Sequence, residues 1–171
     1  MLTMLDITDK LPFQTSVGIR ALPSIRYAVV HHDAILAPDV YEPIARYVAE
    51  AKYHISRGFG HLAYHVKIAR NGVIYQCEPF AQVGYHAGNY PVNLASIGIC
   101  LDGDFSKQSP SAEQITSLNA LMHSLSTEHP EMPRLLHGGF WAHADVRLTP
   151  TFCPGPNIRS IVKAYRNGGK D

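Results

Sequence analysis

The chain has 171 residues, 46% of them hydrophobic and 17% charged, which suits one domain with its own core and excludes a disordered segment, poor in apolar residues and strongly charged. Fifteen basic against 14 acidic residues leave a formal charge of +1, so nothing electrostatic points to nucleic acid or to an anionic membrane. Ten His beside so few charges are the first hint of metal or proton chemistry, since imidazole both ligates metals and titrates near neutrality.

The first ten residues carry no cationic start and no long apolar run, and Asp6 and Asp9 interrupt them, so no secretory signal is expected. Residues 1–24 are weakly patterned and predict an N-terminal arm packed over a domain spanning 25–171. Ile25–His31 reads as a buried strand. Asp39–Ser56 reads as a helix with Val40, Ile44, Val48, Ala51 and Ile55 on one face, although Pro43 suits a first turn and could mark the true start. Tyr64–Arg70 and Val73–Cys77 flank Asn71-Gly72, the strongest short hairpin signal. The uncharged stretch Pro79–Leu101 contains Pro91, Asn89, Asn93 and His86 and cannot be a lipid-facing helix; its end, Ser96–Leu101, reads as a strand. Ser111 and Gln114 form a capping-box pattern opening a helix with Ile115, Leu118, Met122 and Leu125 inward. Phe140–His143 predicts a short last strand. Asn157–Arg166 predicts a last helix, with Ile158, Ile161, Val162 and Tyr165 inward and Gly168 as its stop. The order β, α, β-hairpin, β, α, β, α implies an α/β fold, a mixed central sheet flanked by about three helices.

Three Cys cannot all pair, and Cys77 and Cys100 read as small buried apolar residues. His31 and His32 end the first strand, where neighbours point to opposite faces, so one can face a pocket while the other does not. His143 and Cys153 stand ten residues apart across a loop containing Pro150, which can fold back to bring an imidazole and a thiolate to one metal. With His31 as third ligand, two His and one Cys leave a coordination position open, the pattern of a catalytic zinc. Such spacing recurs by chance in a His-rich chain and acquires weight only from the motifs around it.

Those motifs run in order. Val29-Val30-His31-His32, Leu62–Ile68 with Asn71–Tyr75, Val83-Gly84-Tyr85-His86-Ala87-Gly88-Asn89-Tyr90, Ser96–Phe105, Ala142-His143-Ala144-Asp145-Val146 and Cys153-Pro154-Gly155-Pro156 together resemble the zinc-dependent N-acetylmuramoyl-L-alanine amidases of the type-2 amidase and peptidoglycan recognition protein superfamily. The resemblance covers about Arg26 to Ile158. It implies that fold, one Zn²⁺ per chain on His31, His143 and Cys153, and hydrolysis of the amide between N-acetylmuramic acid and L-alanine in bacterial peptidoglycan. His32 is the weaker alternative to His31, and His137 the weaker alternative to His143. Asp145 reads equally as a residue orienting the ligand loop and as a solvated turn residue.

The resemblance also implies catalytic roles for Tyr64 and for Thr151, hydroxyls that could bond a developing oxyanion. Zinc would acidify a water and polarise the amide carbonyl. His86, Asn89, Tyr90 and His32 are implied as substrate-binding residues, with Arg57, Phe59 and His61 as weaker neighbours. One position varies within the family and one departs from it. Thr151 occupies a place where many members have Lys and some have Thr. Cys100 stands where the cytosolic wall-recycling branch has Glu, which points to the phage lysozyme-like branch and leaves the general base unassigned. A rival reading is a non-catalytic peptidoglycan-binding receptor of the same fold, but such forms typically lack the Cys ligand. A structural metal site would need a fourth protein ligand at a motif position, and none is present. The expected partner is a muramyl peptide, with no nucleic acid, no membrane insertion and a monomeric chain. The expected setting is cytoplasmic synthesis followed by action on the wall after release or non-standard export, as for an endolysin or a wall-lytic toxin.

Overall fold

A computed structural model describes residues 2–168, without the side chain of His137. The elements are β1 (Leu5–Asp6), β2 (Tyr27–His32), α1 (Pro43–Ser56), β3 (Val66–Ile68), β4 (Ile74–Gln76), α2 (Tyr90–Ala95), β5 (Ser96–Leu101), α3 (Ala112–Thr127), β6 (Phe140–Ala142), α4 (His143–Val146) and α5 (Pro156–Arg166). The six strands form one mixed sheet in the order β1-β4-β3-β5-β2-β6, in which only β3 and β4 pair antiparallel. The fold class is the α/β mixed sheet with flanking helices that the sequence predicts. Three long helices are joined by two short ones.

Local chemistry sets the boundaries. Pro43 occupies the first turn of α1, so the helix starts there and not at Asp39, and Val40 lies ahead of it, 91% exposed. Its packed face is Ile44, Tyr47, Val48, Ala51 and His54. The apolar-only stripe of the sequence reading misses Tyr47 and His54, which bury polar atoms with partners. Asn71-Gly72 closes the β3–β4 hairpin with Ile68 opposite Ile74, and Gly72 takes φ +81°, a conformation that favours Gly. The Ser111–Gln114 capping box is formed at the start of α3. The helix α2 goes unpredicted: it is one and a half turns long, and its cap Asn89 makes no side-chain bond to it.

Alternate strand residues go to opposite faces. Ala28, Val30, Val66, Ile68, Ile97, Ile99 and Leu101 join Leu118, Leu121, Met122, Ile158 and Val162 in the main core beneath α3 and α5. A smaller core, with Tyr47 and Ala51 of α1, Leu62 and Tyr75, covers part of the other face. Residues 2–24 do more than lie over the domain: Leu5–Asp6 extends the sheet beside β4, and the arm's backbone bonds to Gly60, Ala81 and Gly18–Val83. Among the described residues no helix is long and apolar enough to cross a membrane.

Candidate metal centre

Parallel pairing builds the site. β2 and β6 run side by side with Val30 opposite Ala142. Their next residues, His31 and His143, therefore emerge together at the carboxyl ends of adjacent parallel strands, where α/β sheets place their ligands. The rings are 4.4 Å apart between centroids. The loop after α4 folds back, fixed by the Ala144 N–H donating to the Cys153 carbonyl at 2.9 Å. This brings the third donor in. One donor atom each from His31, His143 and Cys153 lies within 4.8 Å of the others.

The hydrogen bonds leave the correct atoms bare. His143 Nε2 lies 3.2 Å from the Ala87 carbonyl, to which only an N–H can donate. Its Nδ1 is then a lone pair, and this buried atom has no hydrogen-bond partner. His31 turns Nε2 to His86 at 3.1 Å and Nδ1 to Cys153 Sγ at 3.8 Å. The His32 N–H points at the same sulfur, 3.4 Å away. Burial, helped by the neighbouring His143 and His86, holds His31 well below the ordinary imidazole range. Burial and the Arg147 charge lower His143 to about 4. Both rings are therefore neutral at pH 7. Burial pushes the Cys153 thiol up to about 12, so a thiolate forms there only with a cation to stabilise it. Two bare imidazole nitrogens and one sulfur, with an orphaned buried lone pair among them, fit Zn²⁺ and its N/S preference.

The other predicted residues divide into groups. Tyr64 stands beside the ligands, its ring 5.1 Å from that of His31, and among the described residues its hydroxyl has no hydrogen-bond partner. Thr151 accepts a bond from the Cys153 N–H at 3.2 Å and keeps its own proton for another acceptor. His32 is not brought to the donor set: its Nδ1 accepts from the Phe105 N–H at 2.9 Å and its ring lies against Phe105. His86 is 5% exposed and faces His31 and Ser96, so it lies beneath the surface and not in an open groove. Asn89 donates to the Val146 carbonyl at 3.1 Å, tying its loop to α4. Tyr90 is half exposed. Rings in contact run from the ligands outward, His31 to Tyr64 to His54 to Phe59 to Tyr85 to Tyr90. Asp145 is held by Arg159 of α5 at 2.5 and 2.9 Å, which anchors the ligand-bearing helix. The His137 side chain lies outside the described residues.

The sequence reading misses a buried ion cluster under Tyr64. Lys67 Nζ lies 2.7 Å from Glu50, 3.1 Å from Asp102 and 3.2 Å from Asp33, and is wholly buried. Arg46 pairs with Asp33 at 2.7 Å, and Tyr41 and Tyr47 donate to Asp102. Burial alone would lower the Lys67 pKa, but the surrounding negative groups hold it well above the usual range. The ammonium also sits 5.6 Å from the centre of the Tyr64 ring.

Comparison with known proteins agrees with this geometry. Residues 21–156 match the family model described as N-acetylmuramoyl-L-alanine amidase. The chain belongs to this amidase family. An endolysin of Enterobacteria phage K11 is 30% identical over 117 residues, 66% of this chain and 71% of that protein. Peptidoglycan-recognition protein SC2 of Drosophila simulans is 26% identical over 148 residues, 84% of this chain and 75% of that protein. The solved N-acetylmuramoyl-L-alanine amidase LysC from Clostridium intestinale URNW superposes with a TM-score of 0.74 at 25% identity, covering 98% of this chain and 99% of that one. The match to the amidase family encloses all three donors and Tyr64. It leaves out the edge strand β1 and all of α5 beyond Pro156.

Proposed function

We propose that this amidase-family domain hydrolyses the amide between N-acetylmuramic acid and L-alanine of peptidoglycan, as a wall-lytic enzyme of the endolysin type, with one Zn²⁺ on His31, His143 and Cys153. The observation that carries the proposal is the convergence of two imidazole nitrogens, one of them a buried atom without a hydrogen-bond partner, and a sulfur, with the Tyr64 ring beside them. A zinc ion held there supplies Lewis acidity toward the amide carbonyl and lowers the pKa of a water.

The chain's own groups do the rest. Burial holds the Tyr64 phenol well above its ordinary pKa, so the hydroxyl stays a donor aimed at the oxygen of the attacked carbonyl. Thr151, its lone pair already used by the Cys153 N–H, offers its proton to the same oxygen. Removing one such donor typically costs about 10²–10³ in rate. Asn89 and Tyr90 bind the muramyl peptide, with the ring row from Tyr64 to Tyr90 as an apolar wall, since aromatic faces bury large area at little entropic cost. The protein acts as a monomer on the wall, after release from the cytoplasm or export.

The second reading is a peptidoglycan receptor without catalysis, favoured by the relative named as a recognition protein. Digestion of purified wall separates the two. An amidase produces lactyl-muramic ends and new L-Ala amino termini in equal amounts, and chelation stops it. A receptor pellets with the wall and produces neither.

A further inference from the structure

His86 has no place in an open groove, and its surroundings assign it another task. Its Nδ1 lies 3.1 Å from His31 Nε2, and its Nε2 lies 3.3 Å from Ser96 Oγ. Ser96 Oγ is 2.6 Å from the Val92 carbonyl. A carbonyl only accepts, so the single Ser96 proton goes to Val92. Ser96 must then accept from His86, which fixes the N–H of the neutral ring on Nε2 and leaves Nδ1 as a lone pair. That lone pair accepts from His31 Nε2–H. The remaining His31 nitrogen, Nδ1, is left without a proton, facing Cys153 Sγ at 3.8 Å. One serine at the start of β5 thereby determines, through two rings, which nitrogen His31 presents.

The fold makes room for this arrangement at a specific residue. A Cβ on Gly98 would lie 2.8 Å from His86 Cγ and 3.0 Å from Cδ2. The imidazole of His86 rests on the sheet where β5 has no side chain. Gly98 is on the face that carries His31, two residues before Cys100 on β5. Metal-ligating His generally donate their second N–H to a carboxylate, carbonyl or water; here the acceptor is a second imidazole, itself oriented from behind.

We infer that His86, oriented by Ser96, is a positioning residue that sets the tautomer and ring angle of His31 for the metal and does not bind substrate. This rests on the zinc-site reading above. The test compares wild type, His86→Ala, His86→Asn and Ser96→Ala by chelator-competition measurement of zinc affinity, alongside KM for a soluble muramyl peptide. His86→Ala should weaken zinc by about 10–100-fold, the usual effect of removing such a support, with KM unchanged. His86→Asn should recover much of that loss, because its carbonyl oxygen stands near the former Nδ1 and accepts the same proton. Ser96→Ala should give a smaller loss in the same direction, and it reports on the relay even if His86→Ala does not fold. Unchanged zinc affinity with a raised KM would make His86 a groove residue and overturn the inference. Equal zinc loss in the Ala and Asn variants would reduce His86 to packing and also overturn it. A wild-type protein that binds no zinc overturns the metal site itself, a result distinct from either.

Discussion

Acid should unfold the metal-free protein well before its carboxylates titrate. His54, His86 and His143 are buried and neutral, and burial is the largest cause of their lowered pKa values, about 4, about 3 and about 4. His31 and His65 are displaced in the same direction. An unfolded imidazole has a pKa of about 6.5. Between pH 6.5 and about 4 the unfolded chain therefore takes up protons that the folded chain refuses, so stability rises with pH and falls as pH falls through that window. At pH 5 the gap is about 1.5 units, or about 2 kcal/mol for each such His. The three with stated values give about 6 kcal/mol, a large share of the roughly 5–15 kcal/mol that holds a domain together. His61 opposes them. Burial lowers its pKa, but Glu78 at 3.3 Å outweighs this and raises it, so its contribution is present at low pH and lost as pH rises. Urea unfolding of chelator-treated protein, followed by circular dichroism at intervals from pH 8 to pH 4.5, measures the sum. The unfolding free energy should fall steeply below pH 6.5, with a slope near pH 5 of about 4 kcal/mol per pH unit if the three His dominate. A midpoint that stays level from pH 8 to pH 5 would refute the assignment of these rings as buried and neutral.

Cys153→Ser should lose zinc and activity while Cys77→Ser keeps both, because Cys77 is 1% exposed in the small core and is not among the clustered donors; elemental analysis and wall digestion check this. Tyr64→Phe should keep zinc and lower kcat and kcat/KM equally by about 10²-fold, the signature of a group acting only in the transition state; a change confined to KM would make Tyr64 a binding residue. Lys67→Met should cost about 3–5 kcal/mol in urea unfolding, since it strands three carboxylates in a dry interior. Adding Glu50→Gln to that variant should recover part of the loss.

Where pattern and burial coincide, the fold is legible in the sequence. Ser96–Leu101, the Asn71-Gly72 hairpin and the Ser111 cap fall where turn chemistry and alternation put them. The three donors are legible because His31, His143 and Cys153 sit in motifs with their own local context. Lys67 is not. A Lys in an alternating strand such as Val66-Lys67-Ile68 ordinarily faces solvent, but β3 runs between β4 and β5 and α1 covers that face. The ammonium is enclosed, and its partners come from Asp33, Glu50 and Asp102, distant in sequence. His86 misleads for a similar reason: a polar residue in a Gly-rich loop suggests exposure, and only the fold shows that the loop turns its ring inward over Gly98.

Position 100 joins these observations. Register places Lys67, Cys100 and His31 in one row across β3, β5 and β2, so all three project from the same face. Cys100 fills the place between the Lys67 ammonium and the His31 ring. Its sulfur is 3.6 Å from Lys67 Nζ, and burial, against the pull of Lys67, keeps the thiol protonated far above its ordinary range. It is a neutral packing group. The carboxylates of this face reach Lys67 from other elements, and a further one at position 100 would meet that ammonium in a wholly buried setting and raise the negative charge there. Tyr64 packs over the same row, its ring 5.6 Å from Lys67 Nζ and 5.1 Å from the His31 ring, and Thr151 precedes Cys153 by two residues. A neutral thiol at position 100 supplies no base beside His31, and in the proposed reaction the hydroxyls of Tyr64 and Thr151 are the groups that act on the substrate amide.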